Sequence, residues 1–284
     1  MNSKNLPDIP NDKRGWPWAP VSDRAENEWN PRVSIVTPSY NQGEFIEETI
    51  RSVLLQDYSN IQYLIIDGGS TDKTTQVLDK YRDHVDLLVS EKDEGQADAI
   101  NKGFSHADGS LFAWLNSDDF LCPGAVSKVV QRLRFAPDAA MFVGSTQEID
   151  RTGNPLRLLV PRIADKSHIG NWGTGNDADC HFHQPSVFFS AEHYRACGGV
   201  NTRHHVAMDV ELWMKLSRLG EITVVDDVLS CARIYPEAKT FNDIERVFVE
   251  MIALNFNQEN LDIAKHYLYR YISYVEWKKK QDGA

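Results

Sequence analysis

The chain has 284 residues, 42% of them hydrophobic and 25% charged, with a formal net charge of -11. Those proportions suit one large α/β domain or two small ones with a sizeable core. The negative balance excludes a broad basic face for nucleic acid, so an anionic ligand must be held by local devices: a metal ion, backbone N–H groups or a few Arg and Lys. Cys122, Cys180, Cys197 and Cys231 are scattered with no CxxC pair. That spacing argues for free thiols in a reducing cytoplasm. Residues 1–31 are too polar for a signal peptide, and no apolar run approaches the roughly 20 residues of a spanning helix. The expectation is a cytoplasmic protein that could at most rest on the inner face of a membrane.

Residues 1–31 read as an irregular lead-in whose Trp16, Trp18 and Trp29 pack on the domain as an arm. The first strand is Val33-Ser34-Ile35-Val36-Thr37, stopped by Pro38. A helix follows with Phe45, Ile46, Thr49, Ile50, Val53 and Leu54 on one stripe. Tyr63-Leu64-Ile65-Ile66 is a second strand, ending in Asp67-Gly68-Gly69-Ser70-Thr71-Asp72. Its glycines permit a tight turn, and Ser70 or Thr71 can cap a helix running to about Tyr81. Leu87-Leu88-Val89 is a third strand, followed by Asp93 and a helix over 96–104.

The fourth strand is Leu111-Phe112-Ala113-Trp114-Leu115, which breaks abruptly into Asn116-Ser117-Asp118-Asp119. An all-apolar run of this kind is a strand buried on both faces, and four alternations of strand and helix predict right-handed βαβ units in a mostly parallel sheet. Ligands of such sheets sit outside the carboxyl ends of the strands. Asp67, Asp93 and Asp118 therefore point to one shared crevice. Asp118 and Asp119 repel each other with no Lys or Arg beside them, a strain that an oxygen-seeking divalent cation relieves. Taken alone, the pair suits a turn or a helix N-cap equally well.

A helix over 124–135, with Pro123 at its first turn, and a strand over 140–144 come next. Residues 145–180 read as loops and weak strands; 184–189 resumes a strand; 208–219 is a helix; 222–225 and 229–234 are late strands. From about Phe241 the chain is helical, with a stripe of Tyr267, Tyr271 and Tyr274 ahead of Trp277 and Lys278-Lys279-Lys280. Packing plus a solvated end explains that stripe; peripheral contact with a membrane carrying a lipid-linked acceptor is the alternative.

Val33-Ser34-Ile35-Val36-Thr37-Pro38-Ser39-Tyr40-Asn41, Ile66-Asp67-Gly68-Gly69-Ser70-Thr71-Asp72 and Asn116-Ser117-Asp118-Asp119, in this order and each after a predicted strand, resemble the serial motifs of family 2 glycosyltransferases of the GT-A fold. The likeness runs over about residues 32–240. It implies a GT-A domain with a nucleotide-sugar half (32–120) and an acceptor half (121–240), between an N-terminal arm (1–31) and a C-terminal helical extension (241–284). It further implies inverting transfer from a UDP- or GDP-sugar, UDP- before GDP-, to a hydroxyl of a glycan or lipid-linked acceptor in polysaccharide or glycan biosynthesis, with Mn²⁺ or Mg²⁺.

By that resemblance Thr37, Pro38, Ser39, Tyr40, Asn41, Asp67 and Gly68 cradle the nucleotide, with Asp67 accepting a base N–H. Asp98 and Lys102, in Glu94-Gly95-Gln96-Ala97-Asp98-Ala99-Ile100-Asn101-Lys102-Gly103, serve a hydroxyl and the diphosphate, or simply an ordinary surface helix. Asp118 ligates the metal, with Asp119 and Asn116 beside it. Met208-Asp209-Val210-Glu211-Leu212-Trp213 resembles the family's acidic helix start, which makes Asp209 the general base and Glu211 the second choice.

Three departures stand out: Asn116 opens the usual Asp-x-Asp, Gly68 replaces a second Asp, and a His expected near Tyr235 is absent. Arg233 and Lys239 are the candidates to hold the diphosphate instead, and His181, His183, Gln184 and Trp213, with His204 and His205, are candidates for the acceptor mouth. Two other readings compete. Asn116 keeps open a nucleotide-sugar or glycan-binding module without turnover. A sugar-nucleotidyltransferase ranks below it, because residues 37–42 lack a Gly-rich loop followed by basic residues.

Overall fold

The computed structural model describes residues 6–19, 29–164, 166, 169 and 180–282. The first half is built as the alternation predicts: β1 (Val33–Ser39), α1 (Ile46–Leu54), β2 (Ile61–Asp67), α2 (Thr74–Tyr81), β3 (Leu87–Ser90), α3 (Gln96–Ser105) and β4 (Leu111–Trp114). β1 pairs in parallel with β2 and β4, and β2 with β3. Alternate residues of each strand feed two cores. Val36, Leu64, Ile66, Phe112 and Trp114 join Ile100 and Phe104 of α3 on one face. Ile35, Tyr63, Ile65 and Ala113 join Ile50, Val53, Val77 and Leu78 of α1 and α2 on the other. Gly103 lets α3 lie close, since a Cβ there would sit 2.4 Å from Val36 Cγ1.

The register aligns the carboxyl ends. Ser39 lies opposite Asp67, and Asp67 opposite Ser90. β1 runs through Pro38 rather than stopping at it. β4 ends opposite Val36, so on that side Pro38 has no ladder hydrogen bond to break.

The second half is β5 (Phe120–Leu121), α4 (Ala125–Phe135), β6 (Met141–Ile149), β7 (Pro155–Leu159), β8 (Arg162–Ile163), β9 (Cys180–His181), β10 (Val187–Ser190), α5 (Ala191–Ala196), α6 (Met208–Leu219), β11 (Ile222–Arg233), α7 (Lys239–Asn242), α8 (Ile244–Asn257) and α9 (Leu261–Asp282). Among the described residues one nine-stranded sheet runs β3-β2-β1-β4-β10-β6-β11-β5, with β7 beside β6. This is the mostly parallel α/β sheet expected of a GT-A fold, with β10 inserted antiparallel between β4 and β6. The two late strands expected at 222–225 and 229–234 are one strand, β11, whose register shifts twice around Val228. Much of the expected loop region is strand β6 and its partner β7; residues 165, 167–168 and 170–179 lie outside the described set.

The described arm lies on α1: Arg51 donates to the carbonyls of Pro7, Pro17 and Trp18 and stacks on Trp18, and Trp16 Nε1 donates to Leu121 O. Tyr271 and Tyr274 pack on Phe248 of α8, so part of the C-terminal tyrosine stripe is buried between two helices. None of the four cysteines forms a disulfide. Among the described residues no helix is long and apolar enough to cross a membrane.

Candidate active site

The nucleotide side is built on Asp67, which ends β2 fully buried. Its carboxylate accepts from Ser70 N (3.0 Å), Ser70 Oγ and Ser90 Oγ (2.7 Å). A carboxylate has about four acceptor positions, and these three donors fill most of them. Gly68 follows because a Cβ there would lie 2.8 Å from Asp93 Oδ2. Asp93 thus sits against the turn, with Oδ1 accepting from Gly95 N. Asn41 takes a left-handed φ of 52°, fastened by Ser70 Oγ and Thr71 N. Thr37 turns into the core against Tyr63 OH. Among the described residues the buried Ser39 Oγ has no hydrogen-bond partner, and Tyr40 next to it is 62% exposed. A buried hydroxyl left unpaired at a strand end is a natural ligand contact.

The loop after β4, which carries Asp118 and Asp119, is clamped by Thr49 and Arg233. Thr49 Oγ1 donates to Asp119 O (2.6 Å), Arg233 N to Asp119 Oδ1 (2.9 Å), and Arg233 Nε to Asp118 O (3.1 Å). Burial, joined by the charge of Asp118, pushes the Asp119 carboxyl well above its usual range. Asp118 is only half-buried, accepts Tyr235 OH at Oδ2 (2.8 Å), and is also raised by burial. Asn116 does not offer its carbonyl oxygen to a metal. Its Oδ1 accepts from Trp114 Nε1 (2.7 Å) and Gln96 Nε2 (2.8 Å), which uses both lone pairs. Its amide donates to Gln184 Oε1 (3.0 Å), and Gln184 Nε2 donates to Trp114 O.

The reading of Arg233 as a diphosphate ligand is corrected. Its side chain is 2% exposed and bonded to Glu48 Oε2 (2.6 Å), Asp118 O, Asp150 O and Arg151 O, with the guanidinium over Phe45. A charge so enclosed braces the Asp118–Asp119 loop. Arg233→Ala should cost about 3–5 kcal/mol in denaturant unfolding, because it takes the donor from the carbonyls of Asp118, Asp150 and Arg151 and leaves Glu48 with Lys13 alone. A variant of unchanged stability that lost only donor affinity would restore the diphosphate role.

The first turn of α6 carries Asp209. Burial, offset only in part by Val210 N–H and the Lys239 ammonium, pushes Asp209 up to about 6. Burial also lowers Lys239 to about 8, against the pull of Asp209 and Glu250. Lys239 Nζ donates to Gln96 Oε1 (2.8 Å), and the same Gln96 donates to Asn116. Gln96 therefore ties Lys239 to the loop carrying Asp118. Glu211 faces elsewhere: Asn201 Nδ2 donates to it at 3.0 Å and Lys215 lies 3.8 Å away.

A family model for Glycosyl transferase family 2 matches residues 34–194. The chain belongs to glycosyl transferase family 2. An uncharacterized glycosyltransferase of Rickettsia conorii is 28% identical over 218 residues, 76% of this chain and 36% of that protein. TuaG of Bacillus subtilis, assigned to teichuronic acid biosynthesis, is 39% identical over 135 residues, 46% of this chain and 53% of that one. The chain thus spans only a third to a half of these two relatives. Among solved structures, S. aureus TarS superposes with a TM-score of 0.61 at 19% identity, over 85% of this chain and 44% of TarS. A mannosyltransferase of Pyrobaculum calidifontis in complex with GDP-Man and Mn²⁺ superposes with a TM-score of 0.61 at 18% identity, over 88% of this chain and 78% of that one. TarS has also been solved with UDP and with UDP-GlcNAc. At these identities the superpositions show a shared fold.

Within this family 2 chain, the remaining sequence candidates have partners of their own. Asp98 accepts from Glu94 N, and Lys102, roughly 9 Å beyond Gln96 along α3, pairs with Glu91 (2.8 Å). His183 bonds Glu148, which Arg157 also holds, and burial lowers its pKa. His181 lies in β9 opposite Arg162. Trp213 as an acceptor contact is corrected: it is 2% exposed and stacked among Trp114, Phe182 and Phe189. His204 lies 3.9 Å from Glu211 and 3.8 Å from Glu250, and His205 lies 3.9 Å from Asp243. Sequence reading missed Gln96 and the hydrogen bond of Tyr235 to Asp118. Gln96 follows Gly95, whose φ of 113° ends the preceding loop, so the glycine was its only local signal.

Proposed function

We propose that this chain is an inverting glycosyltransferase that moves a sugar from a UDP- or GDP-sugar to an acceptor hydroxyl in polysaccharide or glycan synthesis. The observation that carries the reading is the bridge Lys239–Gln96–Asn116, which joins the environment of Asp209 to the loop of Asp118. A catalyst for this reaction needs both groups in one crevice.

The donor set suits a magnesium-like ion. Among the described residues no cluster of three or more His, Cys, Asp or Glu could hold a metal alone. Mg²⁺ commonly takes one or two carboxylates and completes its shell with substrate phosphates and water. Asp118, with Asp119 behind it, is the proposed carboxylate, and Asn116 becomes its frame. A dication bound there would supply Lewis-acid neutralisation of the leaving diphosphate.

The chain's own residues do the rest. Ser39 Oγ and Tyr40 meet the nucleotide, and Asp67 keeps its turn open for the base. Asp209 takes the proton from the acceptor O–H as that oxygen bonds the anomeric carbon. The bond from that carbon to the diphosphate breaks, and the nucleoside diphosphate leaves. A carboxyl near 6 is ionised at neutral pH yet basic enough to share a proton. Lys239 can steady either the carboxylate or the diphosphate.

The test is incubation with UDP- and GDP-sugars, with and without Mn²⁺, while free nucleoside diphosphate is measured. Slow donor hydrolysis that needs both metal and Asp118 is expected. Binding of a donor without turnover under any condition would favour a binding module instead.

A further inference from the structure

Glu250 lies on α8, outside the residues matched by the family model, yet it grips the segment that leads into α6. Its carboxylate accepts from three successive backbone N–H groups: His205 (2.9 and 3.0 Å to the two oxygens), Val206 (2.9 Å) and Ala207 (3.0 Å). Burial alone would raise this carboxyl, but those N–H groups, with Arg246, pull it down to about 2. Arg246 Nε lies 2.8 Å away and fixes the carboxylate from its own helix. The Glu250 side chain is 12% exposed, so water competes little for the site. Three consecutive amides converging on one anion form a nest, and such a nest fixes the direction of the chain that carries it. Asp209 follows two residues after the last gripped amide.

We infer that Glu250 is a positioning residue for Asp209: through the amides of His205, Val206 and Ala207 it sets where the start of α6 enters the crevice. The inference rests on Asp209 being the base. It gives the C-terminal helices a part in the reaction, because α8 supplies the anchor for a side chain on α6. A misplacement of about 1 Å in a reacting group can cost roughly 100-fold.

The experiment compares Glu250→Ala and Glu250→Gln in the full chain, alone and combined with Asp209→Asn. Glu250→Ala should lower kcat about 10- to 100-fold while the donor KM stays within about twofold. Glu250→Gln, whose amide oxygen still accepts N–H, should recover to within about fivefold of the parent. In the Asp209→Asn background, Glu250→Ala should change kcat less than about twofold, because the group it positions is gone. Hydrogen exchange at the amides of residues 205–207 should accelerate in Glu250→Ala. An additive loss in the double variant, an equal loss in kcat and donor affinity, or unchanged exchange would overturn the inference. Should Asp209→Asn keep parental turnover, the base assignment fails by itself, and amide exchange then decides whether Glu250 holds this segment.

Discussion

Asp209→Asn is expected to lower turnover by about 10²- to 10⁴-fold, leave donor affinity within about twofold, and make the protein more stable. The first two effects follow from a carboxylate that acts on the acceptor proton and not on the donor. The third follows from the sign of its shift. Burial raises the folded carboxyl from 3.8 to about 6, so ionising it costs more in the native state than in the unfolded chain. That penalty is absent below the unfolded value, grows between about pH 4 and 6, and is complete above. At pH 8 the Asn variant should therefore gain on the order of 1–3 kcal/mol, a rise of several degrees in Tm, and the gain should vanish below about pH 4. In the parent, kcat/KM should climb with pH to a plateau above about 6, and the variant should lose that limb. Scanning calorimetry and a pH–rate profile check both halves. An Asn variant with parental turnover removes Asp209 from the mechanism and brings forward Glu211.

Asp118→Asn has the second large expected effect. Loss of a Lewis-acid contribution of several kcal/mol corresponds to a fall of about 10²- to 10³-fold in turnover. The loss should travel with metal dependence: titration calorimetry should find that Mn²⁺ tightens UDP binding to the parent and not to the variant. Chelation should bring the parent down to the variant's level. Asp119→Ala should behave differently, because it removes the Oδ1 that accepts the buried Arg233 N and so breaks the brace. It should lower stability as well as activity. If Asp118→Asn kept a metal-tightened UDP affinity, the dication would have to sit elsewhere.

Much of the fold was legible because it is written locally. The apolar runs from Val33 to Val36 and from Leu111 to Trp114 are buried on both faces, and runs of that kind have one common explanation. The strand ends followed from the sheet rule, which is why Asp67 was placed at the end of β2 and Asp118 in the loop after β4 without any view of contacts. β11 was harder: its register shifts around Val228 interrupt the pattern in the middle of one continuous strand. Arg233 was misread because charge near an acidic crevice suggests an anion, whereas its partners Glu48, Asp118, Asp150 and Arg151 come from three distant stretches. Trp213 shares a motif and, at i+4, roughly a helix face with Asp209, yet one turn further along α6 that face is enclosed by Trp114, Phe182 and Phe189. Gln96 and Glu250 act through partners remote in sequence, and neither residue type announces such a role.

The central claim is that a dication at Asp118 and a base at Asp209 face the same bound donor. An anomalous difference map from crystals of the parent chain grown with Mn²⁺ and a nucleotide sugar measures this most directly. The account predicts a single strong peak about 2.0–2.3 Å from an Asp118 oxygen and against the diphosphate, with the Asp209 carboxylate open to the far side of the sugar ring. A peak away from Asp118, or a sugar whose anomeric carbon Asp209 cannot approach, would contradict it.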